Sequence, residues 1–474
     1  MARMDHDRQQ RRVLLATSLS YVIVILDTSI VNVALERIAT GLAGGVSGLQ
    51  WVVNAYTLVF ASLLLTGGTL SDRFGARGVY IGGLAAFTVA SALCGFAPSL
   101  AVLITARALQ GVGAALLVPA SMTLINQTWS NPRERAAVFG MWAGLGGVAM
   151  ASGPLLGGVL IGLSGWRSIF LANVPIGIAG IFMAWRVARR SSPTTVRRLD
   201  VAGQLAGMAA LALLNVSLIE APVYGWGSAT MIGCVAATLV ASAVFVTIES
   251  RHAQPMLPLT LFRDRVFSGC VIVSMVSAFT VYGLLFNLSL YFQQQRGYTP
   301  LHAGLAFLPL TVVVPAGSLL ARRAVQWLGS RWLIVGALLL AASGYLALSA
   351  IGPSARDGLL ALPLPAIGFA ASLITPATTV ALMACVDGSR AGLAAGVLNA
   401  ARQTGAALGV AISGVLIATR PSFIEGMRAS LLIAAMLSMI AGMVWWRASA
   451  QADAVCGDGD GNSTRDRLGY RKAR

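Results

Sequence analysis

Long runs of apolar residues recur along almost the whole chain and are separated by short polar segments. The hydrocarbon core of a bilayer is about 30 Å thick, and a helix needs about 20 apolar residues to cross it. The runs therefore predict an all-α integral membrane protein with fourteen transmembrane helices. They lie near residues 13–34, 50–70, 78–97, 100–125, 136–162, 168–187, 201–219, 229–249, 266–290, 301–321, 332–351, 358–383, 392–418 and 429–447.

The basic residues support this count, because they concentrate on one side of the predicted topology. With the N-terminus inside, most of the 34 Lys and Arg residues fall in cytoplasmic segments, as the positive-inside rule requires. A missed or false helix would reverse this bias beyond the error, so we expect both termini in the cytoplasm. The opposite loops hold Arg37, Arg167, Arg296, Arg356, Arg420 and Arg428, while Arg107 and Arg402 lie within helices.

Composition excludes several other classes of protein. Only 11% of the residues are charged and 57% are hydrophobic, whereas soluble domains carry about a quarter charged residues. The net charge of +17 forms short clusters between apolar runs, so it does not indicate a nucleic-acid partner. A single lysine, Lys472, excludes a Walker A loop and hence a nucleotide-driven pump on this chain. The five cysteines and three histidines lack metal-ligand spacing, so neither a metal site nor another cofactor is expected.

The helices divide into six, two inserted helices and six more. A basic connector, 186–200, follows helix six, and a proline-containing segment, 250–265, follows helix eight. A weak echo between residues 68–77 and 317–331 predicts two pseudo-symmetric six-helix bundles. The predicted regions are a cytoplasmic N-terminus (1–12), a first bundle with its linker (13–200), the inserted pair with its loop (201–265), a second bundle (266–447) and a disordered cytoplasmic tail (448–474).

Two charged residues stand inside predicted helices of the first bundle, Asp27 in helix one and Arg107 in helix four. A charge at a helix centre costs about 2.5–3.5 kcal/mol on insertion scales, so such residues usually serve a pathway, a counter-charge or a gate. The helical rise places both about 10 Å below the outer ends of their helices, where they can pair. An adjacent cation favours the ionised carboxylate and removal from water favours the protonated one, so the pair could carry protons. A purely structural ion pair, and contact through Asn54 or Gln110, remain open alternatives.

The turn between helices two and three is a candidate cytoplasmic gate. Its charges could pair across the bundle when the inner side closes and separate when it opens. An ordinary positive-inside loop would account for the arginines but not for the aspartate. The gate residues are Gly68, Asp72, Arg73, Gly75 and Arg77.

Helix five carries glycines at a spacing that lets helix backbones approach closely. Pro154 removes one helical hydrogen bond and permits a bend. The spacing pairs Gly140 with Gly144, Gly153 with Gly157, and Gly158 with Gly162.

A few polar residues within the helices are candidates for the lining of a mostly apolar substrate cavity. Each of them could equally well form a hydrogen bond between helices. They are Asn54, Gln110, Tyr282, Asn287, Asn399 and Arg402. Two carboxylates at predicted helix ends, Glu220 and Glu249, are expected to reach towards the membrane interface.

Together these strings resemble the major facilitator superfamily, in its fourteen-helix drug–proton antiporter branch. The resemblance covers roughly residues 13–447. The signatures of the family are similar to residues 26–35, 68–77, 103–115, 144–158 and 166–177 of this chain. The length and residues 218–222 also resemble methylenomycin-resistance-type exporters.

The resemblance implies alternating access powered by the proton gradient. It implies proton coupling at Asp27 and Arg107, and a gate at residues 68–77. It also implies an antiporter motif at Gly144, Gly153, Pro154, Gly157 and Gly158. Two positions depart from the family pattern: Glu36 replaces a usual proline, and Ala76 replaces a usual basic residue.

The sequence therefore predicts a proton-coupled antiporter, not an enzyme, in the bacterial cytoplasmic membrane. Its partners would be the lipid bilayer, protons and a small amphipathic compound such as a drug or antibiotic, and a monomer is expected. The alternative is a proton-coupled importer or exporter of a specific metabolite on the same fold, since fold alone does not set the direction.

Overall fold

A computed structural model describes residues 2–129, 131–187, 200–252, 255–352, 356–386 and 391–459, which are helices joined by short turns. The first six membrane-spanning helices are α1 (Ala2–Leu42), α2 (Val46–Phe74), α3 (Ala76–Gly95), α4 (Leu100–Thr128), α5 (Pro132–Ser164) and α6, which consists of Ser168–Leu171 and Asn173–Val187. The inserted helices are α7 (Val201–Tyr224) and α8 (Ala229–Arg251).

The remaining six helices form the C-terminal half. They are α9 (Arg265–Leu290, continued by a π-helical turn, Tyr291–Gln295), α10 and α11 (together Pro300–Ala306, Leu308–Thr311 and Val313–Ala350), α12 (Asp357–Ala361 and Leu364–Ala384), α13 (Ala391–Thr419) and α14 (Phe423–Gly459). A short 3₁₀ helix, Leu259–Arg263, precedes α9.

Thirteen segments of the described chain are long and apolar enough to cross a membrane, and one of them contains two helices. The segment Leu308–Ala350 has 43 residues, about twice the length that one span needs. Gly329 interrupts it with φ 73° and ψ 159°, a conformation open to glycine but strained for other residues. The break separates α10 from α11, so the prediction of fourteen helices is confirmed.

The same device separates α2 from α3 in the N-terminal half. Gly75 lies between them with φ 87° and ψ 131°. The packing is also repeated, since α2 and α3 pack on α4 as α10 and α11 pack on α12. Helix α1 packs on α5 as α9 packs on α13, while the contacts between the halves pair α2 with α13 and α5 with α10. The two bundles are therefore built on one plan.

The halves pack closely at one end of the bundle. We call the end with both chain termini the terminal face, and the end with the turns at Ala43, Gly165 and Arg296 the distal face. One hydrophobic cluster near the distal face joins both halves, with Val33 and Ile161 packed together with residues of α9. Near the terminal face, the N-terminal half has a second cluster of its own around Tyr80. The described structure is closed at the distal face.

Hydrogen bonds reinforce this closure. Gln293 Nε2 on the C-terminal half donates to Val33 O at 3.0 Å, and Ser289 Oγ donates to Asn32 O. In return, Gln50 Nε2 on α2 donates to Ala411 O at 2.7 Å. Each half therefore supplies donors to backbone carbonyls of the other.

The inserted helix α7 is attached to α2 by polar contacts along its length. Near the distal face, Glu220 accepts hydrogen bonds from Trp51 Nε1 at 2.7 Å and Ser47 Oγ at 3.0 Å. Near the terminal face, Gln204 Nε2 donates to Ser62 O at 2.7 Å. Its partner α8 lies at the periphery, where only 11% of the residues in its most apolar segment are buried. Glu220 therefore joins α7 to α2 near the end of both helices.

Glu249 differs from the expectation for a helix-end carboxylate. Its side chain is buried, and Glu249 Oε2 accepts a hydrogen bond from Leu257 N at 2.9 Å. Two helix ends lie beyond their predicted positions. Helix α1 continues to Leu42, and α14 continues to Gly459, whereas residues 460–474 lie outside the described structure.

Candidate functional site

Asp27 and Arg107 contact each other directly in the core of the N-terminal half. Both residues are 1% exposed, and Arg107 Nη1 donates to Asp27 Oδ2 in an ion pair. The guanidinium also donates from Nε to Val52 O at 3.0 Å and from Nη1 to Gln110 Oε1 at 2.6 Å. A charged group this far from water is tolerated only when its charge and its donors are satisfied. Here a carboxylate balances the charge, and it and two neutral oxygens accept hydrogen bonds from Nε and Nη1.

The second oxygen of Asp27 has partners of its own. Asp27 Oδ1 accepts from Gln110 Nε2 at 2.9 Å and from Asn173 Nδ2 at 3.1 Å. Gln110 thus contacts both members of the pair and adds a second link to the direct contact. Asn173 begins the second segment of α6, just after the break at Ala172. Asn173 was not among the predicted site residues, although it lies within residues 166–177, which resemble a signature of the family.

Aromatic rings and a glycine complete the surroundings of Arg107. Its guanidinium carbon lies 4.4 Å from the ring centroid of Tyr56 and 5.7 Å from that of Phe170. At these distances the faces of the rings attract the cation. A Cβ added to Gly111 would lie 2.6 Å from Tyr56 O, so this glycine lets α4 approach α2. The close approach brings Arg107 within reach of Val52 O.

The glycines of α5 have different neighbours along the helix. A Cβ on Gly153 would collide with the Ser29 side chain, and one on Gly157 would lie 2.8 Å from Ile30 Cγ1. This pair therefore packs against α1 within one turn of Asp27. Gly140 and Gly144 have no described atom within 4 Å of such a Cβ. The prediction of close packing is wrong for the 140/144 pair, because these two glycines lie on a side of α5 that does not touch another described helix.

Gly158 packs across the boundary between the halves. A Cβ there would lie 2.6 Å from Pro300 O, and one on Gly304 would lie 2.5 Å from Pro154 O. On each helix, a glycine thus lies against the carbonyl oxygen of a proline on the other helix. This crossing of α5 and α10 lies beside the closed distal face.

The predicted gate residues occupy the turn between α2 and α3. Gly75 makes the turn, and Arg77 Nη2 donates to Trp185 O on α6. Arg73 is exposed, with its guanidinium carbon 5.4 Å from the Phe74 ring centroid, while Asp72 is half-buried. For Gly68, the nearest described atom to an added Cβ is Pro119 Cβ, at 3.9 Å. Arg77 therefore ties this turn to its own half.

Three of the predicted cavity residues hold helices together instead. Asn54, Gln110 and Asn287 are at most 1% exposed. Asn54 Nδ2 donates to Asn215 Oδ1 on α7 at 3.3 Å, and Asn287 Nδ2 donates to Ser430 Oγ on α14 at 2.8 Å. The expectation of a cavity lining is wrong for these three, because each side chain points towards a neighbouring helix.

The other three predicted cavity residues lie together, half-buried, between the two halves. Arg402 Nη2 donates to Asn399 Oδ1 at 2.6 Å, and Tyr21 and Tyr282 lie near the guanidinium. The Tyr282 hydroxyl lies 3.3 Å from Thr28 Oγ1, the residue after Asp27. These side chains come from α1, α9 and α13, so both halves contribute.

An aromatic stack completes this group. Tyr21 on α1 lies against Trp142 on α5, with ring centroids 3.6 Å apart. Trp142 Nε1 donates to Thr17 O at 3.2 Å, which fixes the indole against α1. The sequence analysis missed both aromatic residues, since single aromatics within an apolar helix are ordinary core residues. We call Tyr21, Trp142, Tyr282, Asn399 and Arg402 the cleft residues.

Comparison with known proteins identifies the family. The model of the Major Facilitator Superfamily matches residues 17–364, well over half of the chain. The chain belongs to the major facilitator superfamily. The family assignment based on the sequence motifs is thereby confirmed.

Other members of the superfamily match almost the full length. The methylenomycin A resistance protein of Bacillus subtilis (strain 168) is 37% identical over 435 residues, which cover 91% of this chain and 93% of that protein. The multidrug resistance protein Stp of Mycobacterium tuberculosis (strain CDC 1551 / Oshkosh) is 37% identical over 413 residues, covering 87% and 76% of the two chains. The predicted similarity to methylenomycin-resistance-type exporters is confirmed.

A solved structure shows the same superfamily fold. The bacterial homologue of the human lysosomal transporter Spinster, in its inward-facing and unoccupied conformation, aligns with a TM-score of 0.64. The alignment covers 93% of this chain and 97% of that chain at 19% identity. This likeness supports the fold, whereas the relatives at 37% identity support the family.

Proposed function

We propose that this protein exports amphipathic drugs or antibiotics across the bacterial cytoplasmic membrane in exchange for protons. The observation that carries the proposal is the buried contact between Asp27 and Arg107, next to the helix surface on which the two halves meet. Relatives over most of the chain are resistance proteins, including one for methylenomycin A and one named for multidrug resistance. These names favour export over import on a fold that permits both.

The ion pair supplies a site where one proton changes the local charge. With Asp27 ionised, Arg107 and Asp27 neutralise each other inside the bundle. A proton on Asp27 removes the negative charge and leaves the guanidinium with neutral partners only, which weakens the link between α1 and α4. Each protonation state thus favours a different position of α1.

Helix α1 connects this site to the distal face. Asn32 and Val33 lie about one and a half turns beyond Asp27 and accept the hydrogen bonds from Ser289 and Gln293 of the other half. On its other side, α1 packs against Gly153 and Gly157 of α5. A shift of α1 on protonation would therefore disturb the contacts that close the distal face. This is the physical link that alternating access requires.

The positive-inside distribution assigns the terminal face to the cytoplasm in this proposal. The closed distal face would then lie outside, and substrate would enter from the cytoplasm or the inner leaflet. Arg73 and Arg77, with Asp72, would close the terminal face in the opposite state. We further propose that the protein works as a monomer, with both halves of one chain forming the pathway.

Transport in inverted vesicles from an efflux-deficient bacterium tests the proposal. Energised vesicles should accumulate a drug to which the gene confers resistance, and addition of the drug should release protons from the acidified lumen. Asp27→Asn should abolish both, because an amide cannot exchange a proton. Glu425→Gln, which changes an exposed carboxylate in the first turn of α14, is the matched control and should keep both activities.

Two outcomes would contradict this function. Unchanged drug-induced proton release in Asp27→Asn would remove the coupling role of this residue. Uptake of drug by whole cells, without accumulation in energised inverted vesicles, would instead indicate an importer.

A further inference from the structure

We propose that Arg402 is an anion-binding residue in the substrate cleft, and that the protein takes amphipathic organic acids as substrates. This inference rests on the proposed transport function and specifies the chemical class of its substrate. A carboxylate would bind the guanidinium, and the apolar body of the substrate would lie against the aromatic rings. The argument begins with a difference between two arginines in the helices.

Arg107 shows how the fold treats an arginine that is buried in the core of one half. It has a carboxylate partner, two further oxygen acceptors and two aromatic rings, and it is 1% exposed. Inside a membrane protein such full compensation is expected, because an isolated charge is expensive there. The chain can therefore neutralise a buried arginine completely.

Arg402 is not compensated in this way. Among the described residues, no carboxylate lies within 4.0 Å of its guanidinium, and its hydrogen bond goes to a neutral amide oxygen. The residue lies about eleven residues into α13, roughly 17 Å from its first residue, which is deep in the span. A half-buried cation with five donors and one neutral acceptor leaves a site for an anion.

Asn399 holds the guanidinium in a defined position. Asn399 Nδ2 donates to Ala395 O at 3.1 Å, which turns Asn399 Oδ1 towards Arg402 Nη2. A preoriented guanidinium fork suits the two oxygens of a carboxylate better than a mobile ammonium would. The amide therefore acts as a positioning residue for the proposed anion site.

The rest of the cleft suits an apolar or aromatic body. Tyr21 and Tyr282 lie near Arg402, and the Tyr21 ring stacks on Trp142. Aromatic side chains give large contact area to many shapes of ligand while placing few geometric demands on it. The combination of one cation and three aromatic residues favours compounds with one acidic group and an apolar frame.

A pair of ligands that differ in charge tests the proposal directly. The probes are 1-naphthaleneacetate and its neutral amide, titrated into the purified full-length protein in nanodiscs at equilibrium. Binding is measured by isothermal calorimetry, which does not depend on transport. We expect the acid to bind at least about tenfold more tightly than the amide, as charge-assisted pairing of a desolvated carboxylate implies.

Variants assign the preference to Arg402. Arg402→Gln should reduce the acid-to-amide preference to about one, and Arg402→Lys should retain part of it. Arg420→Gln, which changes an exposed arginine just after the end of the same helix, is the matched control and should retain all of it. Melting temperatures of the variants check that the bundle remains folded.

Equal binding of acid and amide, or no binding of either, would overturn the proposal, as would full acid preference in Arg402→Gln. The same probes in inverted vesicles separate this inference from the proposed function. Preferential binding of the acid without transport would support the anion site and contradict the export function. Proton-coupled transport of drugs, together with equal binding of the acid and the amide, would leave the function and remove the anion site.

Discussion

The two halves share one packing plan but differ in the polar groups that they bury: one buries a charged pair and the other a neutral cluster. The N-terminal half encloses a charged pair, Asp27 with Arg107, in its own core. In the C-terminal half, the corresponding first helix carries Asn287, which donates to Ser430 Oγ, and Ser430 in turn lies 2.9 Å from Ser413 Oγ. That cluster has no ionisable member. The two halves therefore share their helix contacts, but of these two sites only the one in the N-terminal half contains a carboxylate.

The C-terminal half places its helix-borne charge elsewhere. Arg402 faces the cleft between the halves, where Tyr21 and Tyr282 are its neighbours. A charge enclosed by one half can respond to a proton without meeting the substrate. A charge at the boundary can meet the substrate without its own half being disturbed. The difference suggests a division of labour that experiments can break at defined points.

The largest effect is expected from removing Arg107. Arg107→Ala would leave Asp27 buried without its cation, and loss of one member of a buried pair costs about 3–5 kcal/mol. We expect a strong fall in melting temperature and no drug transport in vesicles. The double variant with Asp27→Ala should regain much of the lost stability, because no charge remains unpaired, but should not regain transport. A double variant no more stable than Arg107→Ala would contradict this account of the pair.

A smaller but still large effect is expected where the halves touch. Gly158→Val would place side-chain atoms against Pro300 O, where a Cβ already comes within 2.6 Å. Closure of the distal face would be blocked, so we expect transport to fall about tenfold or more with little change in ion-pair stability. Gly162→Val, which has no described neighbour within 4 Å, is the matched control. The measurement is vesicle transport, with thiol accessibility of a cysteine introduced at position 301 as the readout of closure. Equal transport and accessibility in both variants would argue against a gating contact here.

The smallest effect is expected at the edge of the charged site. Asn173→Ala would remove one hydrogen bond to Asp27 Oδ1 and leave those from Arg107 and Gln110. The hydrogen bonds that remain hold the carboxylate, so the loss should be smaller than the about 1.5–3 kcal/mol that a hydrogen bond to a charged group can contribute. We expect drug-induced proton release to fall a few-fold. Asn287→Ala removes a bond of similar length in the neutral cluster and should lower the melting temperature without this loss. If both variants lose proton release equally, the charged site has no special role.

These residues also mark how far the sequence alone could reach. Asp27 and Arg107 were predictable because a charge in an apolar span is rare and its cost is large. The helix count was predictable for a related reason, since bilayer thickness imposes a length on every span. Gly329 fits this pattern, because the separate runs on its two sides remained visible although the helices almost merge.

Helix rotation could not be predicted in the same way. Asn54 and Asn287 turned out to face other helices, whereas Tyr282 and Arg402 face the cleft. In a chain this apolar, the lipid, the neighbouring helices and the cleft accept similar side chains, so the pattern along a helix hardly distinguishes its faces. Tyr21 was invisible for the same reason. Which face turns inwards is decided by close contacts such as that of Gly111 with Tyr56 O, which join distant parts of the chain.

When the hydrogen bonds at the distal face break, the donors lose a partner but the acceptors do not remain unpaired. Their acceptors are the carbonyls of Asn32, Val33 and Ala411, which lie inside helices and keep their intrahelical partners. Only the donors, such as Gln293 and Gln50, lose a partner on opening, and water entering from that side can replace it. Substitutions at positions 32, 33 and 411 also leave the acceptors in place, since every residue contributes the same carbonyl. These hydrogen bonds at the distal face are therefore easy to break and re-form. They also tolerate substitution of the residues that supply the acceptors.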